Sequence, residues 1–263
     1  MRALGVIPAR FASTRFPGKP LAPLGGKSLL ERVWRRASAA SRIERLVVAT
    51  DDERIADACR SFGAEAVMTS PDHASGTDRV AETALKLDRS FAVVVNVQGD
   101  EPFVTGTSLD LLVGAFDGER PPEMATLVEP LGGPEELFDP NVVKVVTTLD
   151  RKALYFSRSP IPYHRGAARR LAADFRGELP ARPGGLEGYF KHQGIYAYRR
   201  ETLMALTRLR PSPLEKDEGL EQLRALQAGL AIRVLPSDFH SVAVDTPEDL
   251  VRAESLLAEG CET

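Results

Sequence analysis

The 263-residue sequence contains only two cysteines, Cys59 and Cys261, and four histidines. The cysteines form no Cys-x-x-Cys pair, which excludes a disulfide framework and favours a reducing compartment. We therefore predict a cytoplasmic protein. The histidines are scattered and no His-Glu-x-x-His is present, which argues against a zinc centre.

The sequence also lacks a large excess of either charge and has no long apolar run. The 34 Lys and Arg residues are balanced by 37 Asp and Glu residues, giving a net charge of −3. This balance argues against a nucleic-acid partner. No apolar run approaches the roughly 20 residues of a transmembrane helix, so we expect no stable membrane association. The length fits one large α/β domain or two small ones.

Three common nucleotide and hydrolase motifs are absent as well. Gly26-Lys27-Ser28 resembles the end of a P-loop, but Leu21 occupies the position of the required first glycine. No G-x-G-x-x-G follows the first predicted strand, and no Gly-x-Ser-x-Gly occurs anywhere. The usual dinucleotide fingerprint and serine hydrolase chemistry are therefore not predicted.

What the sequence does contain is an alternation of short Val- and Ile-rich runs with segments of helical period. This pattern is typical of a mainly parallel sheet flanked by helices. The predicted strands are Leu4–Pro8, Leu46–Thr50, Ala64–Thr69, Phe91–Val97, Met124–Val128, Val142–Thr148, Gly194–Tyr198 and Ile232–Leu235. The predicted helices are 28–40, 51–63, Thr77–Leu87, Leu109–Phe116, Glu201–Thr207, Leu214–Gln227 and Pro247–Leu257. The Arg-, Pro- and Gly-rich segment 160–188 is predicted to be a mobile loop or lid.

The loop after the first strand concentrates positive charge. Residues 1–50 contain ten Lys or Arg and two Glu, a local charge of 10 − 2 = +8. Arg10, Arg15 and Lys19 follow the strand together with the hydroxyls of Ser13 and Thr14, at the strand end where α/β sheets bind ligands. These groups suit a triphosphate. The alternative is a solvated surface loop, which would not need the stiffening prolines and glycines found here.

Two carboxylates are candidate ligands for a hard cation. Asp100 follows the Val-rich strand, and Asp245 precedes a predicted helix start. Oxygen ligands at a strand end are typical of Mg²⁺ sites. Alternatively, Asp100 is a turn residue and Asp245 belongs to the cap formed by Thr246 and Asp249. The polar segment 72–79, which opens a helix, could contact a base or ribose, or could be an ordinary capped helix start.

Several ordered segments resemble one family. The stretch Val6 to Leu21 closely resembles the opening of the 3-deoxy-manno-octulosonate (Kdo) cytidylyltransferases. The other segments that carry the resemblance are Val48–Asp51, Met68–Thr69, His73–Arg79, Asn96–Pro102, Met124–Leu127, Ala153–Arg158, Gly194–Tyr198, Leu220–Arg224 and Val244–Leu250. Together they cover nearly the whole chain.

The resemblance implies a nucleotide-diphospho-sugar transferase fold with a Rossmann-like sheet, as a single domain over residues 1–263 with a dimerisation and lid insertion at about 130–200. It implies a homodimer and a Mg²⁺-dependent transfer of CMP from CTP to Kdo, which releases pyrophosphate and serves lipopolysaccharide synthesis. The nucleotide residues it implies are Ala9, Arg10, Ser13, Arg15, Lys19, Ser75, Arg79, Gln98 and Asp100, with Arg10, Lys19 and Asp100 as the catalytic set. It further implies Asp100 and Asp245 as metal ligands, and Arg158, His192, Glu221 and Gln222 on the sugar side.

The sequence departs from the family at Gln193, at Lys216-Asp217 and in a longer loop between Arg165 and Arg182. The acceptor sugar therefore stays open between Kdo, 8-amino-Kdo and a sialic or pseudaminic acid. A non-catalytic nucleotide-sugar binder is a further alternative. A glycosyltransferase that uses a ready-made sugar nucleotide is less favoured, because no Asp-x-Asp motif is present. We expect catalysis by positioning and charge neutralisation, with His192 as a fallback general base.

Overall fold

The structure is a computed structural model and describes residues 2–12, 16–163, 186 and 188–259. It comprises two compact units: Met1–Ala125, Ile195–Arg208 and Asp238–Thr263 form the first, and Thr126–Gly194 and Leu209–Ser237 the second. The predicted single domain with an insertion at about 130–200 stays a prediction, and most of the predicted loop at 160–188 lies outside the described residues. Among those residues no helix is long and apolar enough to cross a membrane.

The elements alternate along the chain as predicted. The first unit contains β1 (Ala3–Ala9), a 3-10 helix (Lys19–Leu21), β2 (Pro23–Leu24), β3 (Lys27–Ser28), α1 (Leu29–Ala37), β4 (Ile43–Thr50), α2 (Glu53–Phe62), β5 (Glu65–Met68), α3 (Gly76–Lys86), β6 (Val93–Asn96) and α4 (Gly106–Gly114). After β7 (Met124–Pro130), the second unit contains α5 (Pro134–Phe138), β8 (Lys144–Thr147) and β9 (Ala153–Ser157). Then follow β10 (Phe190–Arg199), α6 (Arg200–Leu206), α7 (Pro213–Glu218), α8 (Gln222–Gln227), β11 (Ile232–Pro236) and α9 (Pro247–Ala258).

The sheet of the first unit has the strand order β10-β6-β1-β4-β5. Strands β6, β1, β4 and β5 are parallel, and β10 is antiparallel to β6. Strand β6 is buried along its whole length, as its run of valines predicts for a strand covered on both faces. The predicted mainly parallel α/β sheet is therefore confirmed, and the loops after β1 and β6 leave the same edge of neighbouring strands.

In the second unit β8 pairs antiparallel with both β9 and β10, and β7 lies between β10 and β11. A small apolar cluster of Leu131, Leu137 and Tyr189 is buried there. Strand β9 and helix α5 were not predicted. The predicted helix Leu214–Gln227 is wrong, because Gly219 adopts a left-handed conformation with φ 64° and separates α7 from α8. Helix α4 begins at Gly106 rather than Leu109, because Thr105 caps it through Ser108 N.

Gly106 lies against the backbone that follows α1, and we expect its replacement by alanine to destabilise the protein. A Cβ at this position would lie 2.7–2.8 Å from backbone atoms of Ala39 and Ala40. Backbone cannot rotate away, so overpacking should lower the free energy of unfolding by about 1–3 kcal/mol. Chemical denaturation of Gly106→Ala measures this. Gly118→Ala is the matched control, because no atom lies within 4 Å of its Cβ position; equal stability of the two variants would contradict the prediction.

Candidate active site

Three loops meet closely at the carboxyl end of β1. A Cβ on Gly99, in the loop after β6, would lie 2.9 Å from the carbonyl oxygen of Pro8. A Cβ on Gly76, at the start of α3, would lie 3.5 Å from the Pro8 ring. The glycines of the Gln98-Gly99-Asp100 and Ser75-Gly76-Thr77 segments therefore let both loops approach β1.

Lys19 joins the two predicted metal ligands. Its Nζ lies 2.8 Å from Oδ2 of Asp100 and 3.1 Å from Oδ1 of Asp245. The side chains are 16%, 26% and 39% exposed, respectively, so the cluster is partly shielded but open to solvent. Lys19 thus binds two carboxylates that lie 81 and 226 residues after it along the chain.

Local backbone structure places the Cα atoms of these three residues near one another. Gly18 has φ 74°, a conformation that suits glycine, and its N–H donates to the carbonyl of Phe11, which turns the chain into the 3-10 helix that begins at Lys19. The Val244 N–H donates to the Asp100 carbonyl at 2.9 Å, which ties the two acidic segments together.

The carboxylate of Asp245 is not part of the helix cap, contrary to the alternative interpretation. The capping box of α9 is formed by Thr246 and Asp249. Asp245 joins this cap through its backbone N–H, which donates to Asp249, while its own carboxylate accepts from Lys19. Its side chain thus faces the cluster and not the cap.

The donor chemistry of this cluster fits Mg²⁺. No group of three or more His, Cys, Asp or Glu side chains that could hold a metal occurs within the described part of the chain. Mg²⁺ is commonly bound through one or two carboxylates together with substrate phosphates. Asp100 and Asp245 are such a pair, so the residues present fit this ion in a site that a bound polyphosphate would complete.

The protonation of Lys19 reflects its two partners. Burial by itself would lower the pKa of Lys19, but the charges and hydrogen bonds of Asp100 and Asp245 outweigh that effect and raise it above the ordinary value. Lys19 is thus held as a cation next to two acceptors.

Arg10 holds the loop that precedes α3. Its Nη2 donates to the carbonyl of His73 at 2.6 Å and to the carbonyl of Ser75 at 3.0 Å. In turn, Ser75 and Asp78 form the reciprocal capping box of α3. The structure therefore contains the ordinary helix cap that was the alternative interpretation of this loop, and a contact of Ser75 with a nucleotide stays a prediction.

Arg79 is completely buried. Its guanidinium donates to the hydroxyl of Thr69, and Nη2 lies 3.2 Å from Oδ1 of Asp51. Within the described residues, Nε has no hydrogen-bond acceptor. Burial lowers the pKa of Arg79. The negative charge of Asp51 raises this pKa and the positive charge of Arg10 lowers it, but burial is the largest effect. In the structure the Arg79 side chain therefore lies in the protein interior, next to Thr69 and Asp51. A direct contact of Arg79 with the cytidine stays a prediction.

The remaining nucleotide predictions are located as follows. Ala9 is buried at the end of β1, and Gln98 is half-buried at the end of β6, where its carbonyl accepts the Glu101 N–H. Ser13 and Arg15 lie outside the described residues. From the sequence, Asp51 was predicted only to lie in the first turn of a helix and not in the site. In the structure it precedes Asp52, the N-cap of α2, and its position one residue after β4 on the same sheet edge is the signal that could have pointed to the site.

Taken by itself, the second unit contains a cluster around Arg158. The Arg158 backbone N–H donates to Oε2 of Glu218 at 2.9 Å, and its Nε donates to the Glu218 carbonyl at 2.7 Å. Ser157 Oγ donates to Oε1 of the same carboxylate at 2.6 Å. Glu218 therefore holds the end of β9, a role that the sequence did not predict.

Lys144 holds the same segment from the opposite partner strand. It is completely buried, and its Nζ donates to the carbonyls of Asp139, Val142 and Arg158 at 2.9, 2.6 and 2.5 Å. Burial lowers the pKa of Lys144. Three carbonyl acceptors use all three ammonium donors, so Lys144 bonds to the backbone of Arg158 and not to its side chain.

The other predicted sugar residues occupy three different settings. His192 is half-buried, lies 3.0 Å from Thr126 Oγ1 and packs edge-on to Phe156. Burial lowers the pKa of His192 to about 3. A base with so low a pKa accepts a proton poorly near neutrality, which argues against the fallback role of His192 as a general base. Glu221 precedes α8, and Gln222 begins it and is buried.

Comparison with known proteins identifies the family of the chain. The family model described as cytidylyltransferase matches residues 4–232. The 3-deoxy-manno-octulosonate cytidylyltransferase of Syntrophotalea carbinolica is 49% identical over 257 residues, covering 98% of this chain and 99% of its own length. That of Myxococcus xanthus is 47% identical over 256 residues, covering 97% and 96%.

A solved structure of a CMP:2-keto-3-deoxy-manno-octonic acid synthetase complexed with CTP superimposes with a TM-score of 0.87 at 38% identity, covering 99% of this chain and 100% of the other. The 4-diphosphocytidyl-2C-methyl-D-erythritol synthase of Anaerococcus prevotii has a TM-score of 0.59 at 14% identity, covering 98% and 99%, and shows similarity of fold alone. The matched family model and the extended identity confirm the resemblance found in the sequence, and the chain belongs to the cytidylyltransferase family, among the 3-deoxy-manno-octulosonate cytidylyltransferases.

Proposed function

We propose that this protein transfers CMP from CTP to the anomeric C2 hydroxyl of Kdo, giving CMP-Kdo and pyrophosphate. The observation that carries the proposal is the convergence of Lys19, Asp100 and Asp245 at the carboxyl edge of the parallel sheet. Relatives of 47–49% identity carry the corresponding name, and a structural neighbour was solved with CTP.

In-line attack of the sugar hydroxyl on the α-phosphorus leaves the protein little covalent work, so its residues act by positioning and by neutralising charge. Lys19 is a mobile point charge on a flexible stem, suited to the phosphate oxygens. Arg10 holds the 73–75 loop through the carbonyls of His73 and Ser75. Mg²⁺, held by Asp100 and Asp245, would supply further positive charge to the phosphates when bound.

We assign the carboxylate of the sugar to the guanidinium of Arg158. A planar guanidinium matches a carboxylate through paired hydrogen bonds. Glu218 and Lys144 hold the backbone of Arg158 from two sides, which orders the residue before a ligand arrives. The proposal includes a homodimer, a cytoplasmic location and a role of the product in lipopolysaccharide synthesis, which rest on the sequence arguments above.

The test is a pyrophosphate-release assay that combines each of the four nucleoside triphosphates with Kdo, 8-amino-Kdo and sialic acid. We expect CTP with Kdo to give the highest kcat/KM, and removal of divalent cations by EDTA to abolish release. Preference for another sugar would reassign the acceptor while keeping the nucleotide site. No release with any combination would contradict the proposed activity and favour a nucleotide-sugar binder.

A further inference from the structure

The ammonium of Lys19 occupies the space between the two carboxylates that we assign to the metal. It is within hydrogen-bonding distance of one oxygen on each, 2.8 Å from Asp100 and 3.1 Å from Asp245. A cation that bridges both carboxylates would need this same space. Lys19 is the least exposed of the three side chains, which shows that it is held inside the cluster and does not extend into solvent.

Two physical effects make Lys19 and a divalent cation compete for the two carboxylates. The first is charge: two carboxylates and one ammonium sum to −2 + 1 = −1, so the cluster attracts a divalent cation less than the bare pair would. The second is occupancy, because one oxygen of each carboxylate, Oδ2 of Asp100 and Oδ1 of Asp245, accepts a hydrogen bond from Lys19. Mg²⁺ loses its water reluctantly, so it competes poorly for occupied oxygens.

A polyphosphate offers Lys19 a different acceptor. The backbone of Lys19 is fixed in the 3-10 helix after Gly18, but its four-carbon stem can rotate. Arg10, next to the same strand end, donates through Nη2 to the carbonyls of His73 and Ser75 and so holds the 73–75 loop. Movement of the Lys19 ammonium onto phosphate, by contrast, would break only its two ion pairs and would expose both carboxylates.

We propose that Lys19 holds the place of the metal ion in the nucleotide-free protein and releases Asp100 and Asp245 when its ammonium moves to the phosphates, so that metal and nucleotide bind as a coupled pair. The inference rests on the proposed function, because the phosphates are those of CTP. Coupling is reciprocal, so nucleotide should raise metal affinity by the same factor by which metal raises nucleotide affinity.

The direct test measures metal binding without nucleotide. Mn²⁺ replaces Mg²⁺, and electron paramagnetic resonance reports the free ion. Because removing the ammonium restores the charge of the carboxylate pair, Lys19→Met should bind Mn²⁺ at least roughly tenfold more tightly than the unaltered protein. Asp100→Asn added to Lys19→Met should abolish the gain. Lys27→Met, at an exposed lysine outside the cluster, is the matched control and should change nothing.

Unchanged or weaker Mn²⁺ binding in Lys19→Met would overturn the inference. Circular dichroism checks that the variant is folded, and Lys19→Gln gives a second replacement with the same expected direction. CTP binding to the unaltered protein in EDTA is measured separately. Absence of CTP binding there and in Mg²⁺ would contradict the proposed function, whereas normal CTP binding with no Mn²⁺ gain would contradict only the role given to Lys19.

Discussion

Asp100→Asn is expected to lower kcat by on the order of 10²-fold or more, the usual cost of losing one electrostatic stabiliser of a transition state. Asparagine keeps the shape of the side chain but removes the charge that we assign to Mg²⁺. The loss of folding stability should be small, about 1 kcal/mol or less, because the ion pair with Lys19 is partly solvent-exposed. Pyrophosphate release and thermal unfolding measure the two effects.

The matched control for this prediction is Asp57→Asn, which removes a carboxylate that is paired with Arg60 on the exposed surface of α2. Its kcat should equal that of the unaltered protein. An Asp100→Asn variant with near-normal turnover at saturating CTP and Mg²⁺ would remove Asp100 from the metal site. Asp245 would then still pair with Lys19, but the proposal that two carboxylates hold the metal would be contradicted.

Arg158→Gln is expected to raise the KM for Kdo by roughly 30-fold or more, because a charged hydrogen-bonding partner of a ligand is worth about 2–5 kcal/mol in binding and each 1.4 kcal/mol is about tenfold. The KM for CTP should hardly change. The variant loses the guanidinium bonds to the carbonyls of Glu218 and Pro140. The backbone N–H of residue 158 and its carbonyl remain bonded to Glu218 and Lys144, so the end of β9 should keep its position. Steady-state kinetics with each substrate varied in turn provide the measurement.

A sugar without the carboxylate charge distinguishes a loss of binding from a structural effect of Arg158→Gln. Kdo amide, which lacks the negative charge, should be a much poorer substrate than Kdo for the unaltered protein and a nearly equal one for Arg158→Gln. Lys152→Gln, at a half-exposed ion pair with Asp150 in the same unit, is the control and should preserve the preference. If Arg158→Gln still prefers Kdo over its amide as strongly as the unaltered protein, another cation binds the carboxylate.

Local signals in the sequence were enough for the parallel sheet and for most element ends. The valines of β6 predicted a strand buried on both faces, and Ser28, Thr246 and Asp249 predicted helix starts that the structure contains. The same reasoning failed at Gly219, because an apolar pattern that continues across two short helices hides a single left-handed residue between them. It also missed β9, whose pairing with β8 depends on distant residues.

The sequence by itself determined the chemistry available to this protein: a cationic loop after the first strand, an acid after the valine-rich strand and an acid before the last helix. Only the tertiary structure decided which of these groups meet. Lys19 and Asp100 meet because the parallel strands β1 and β6 end at a common edge, and Asp245 joins them because the Val244 N–H donates to the Asp100 carbonyl. Glu218 and Lys144 became identifiable only as the groups that hold Arg158. The spacing of side chains along the chain predicts helices and strands, because these depend on neighbouring residues. Ion pairs depend on distances in space, and residues separated by long loops can approach each other in many ways that the sequence does not distinguish.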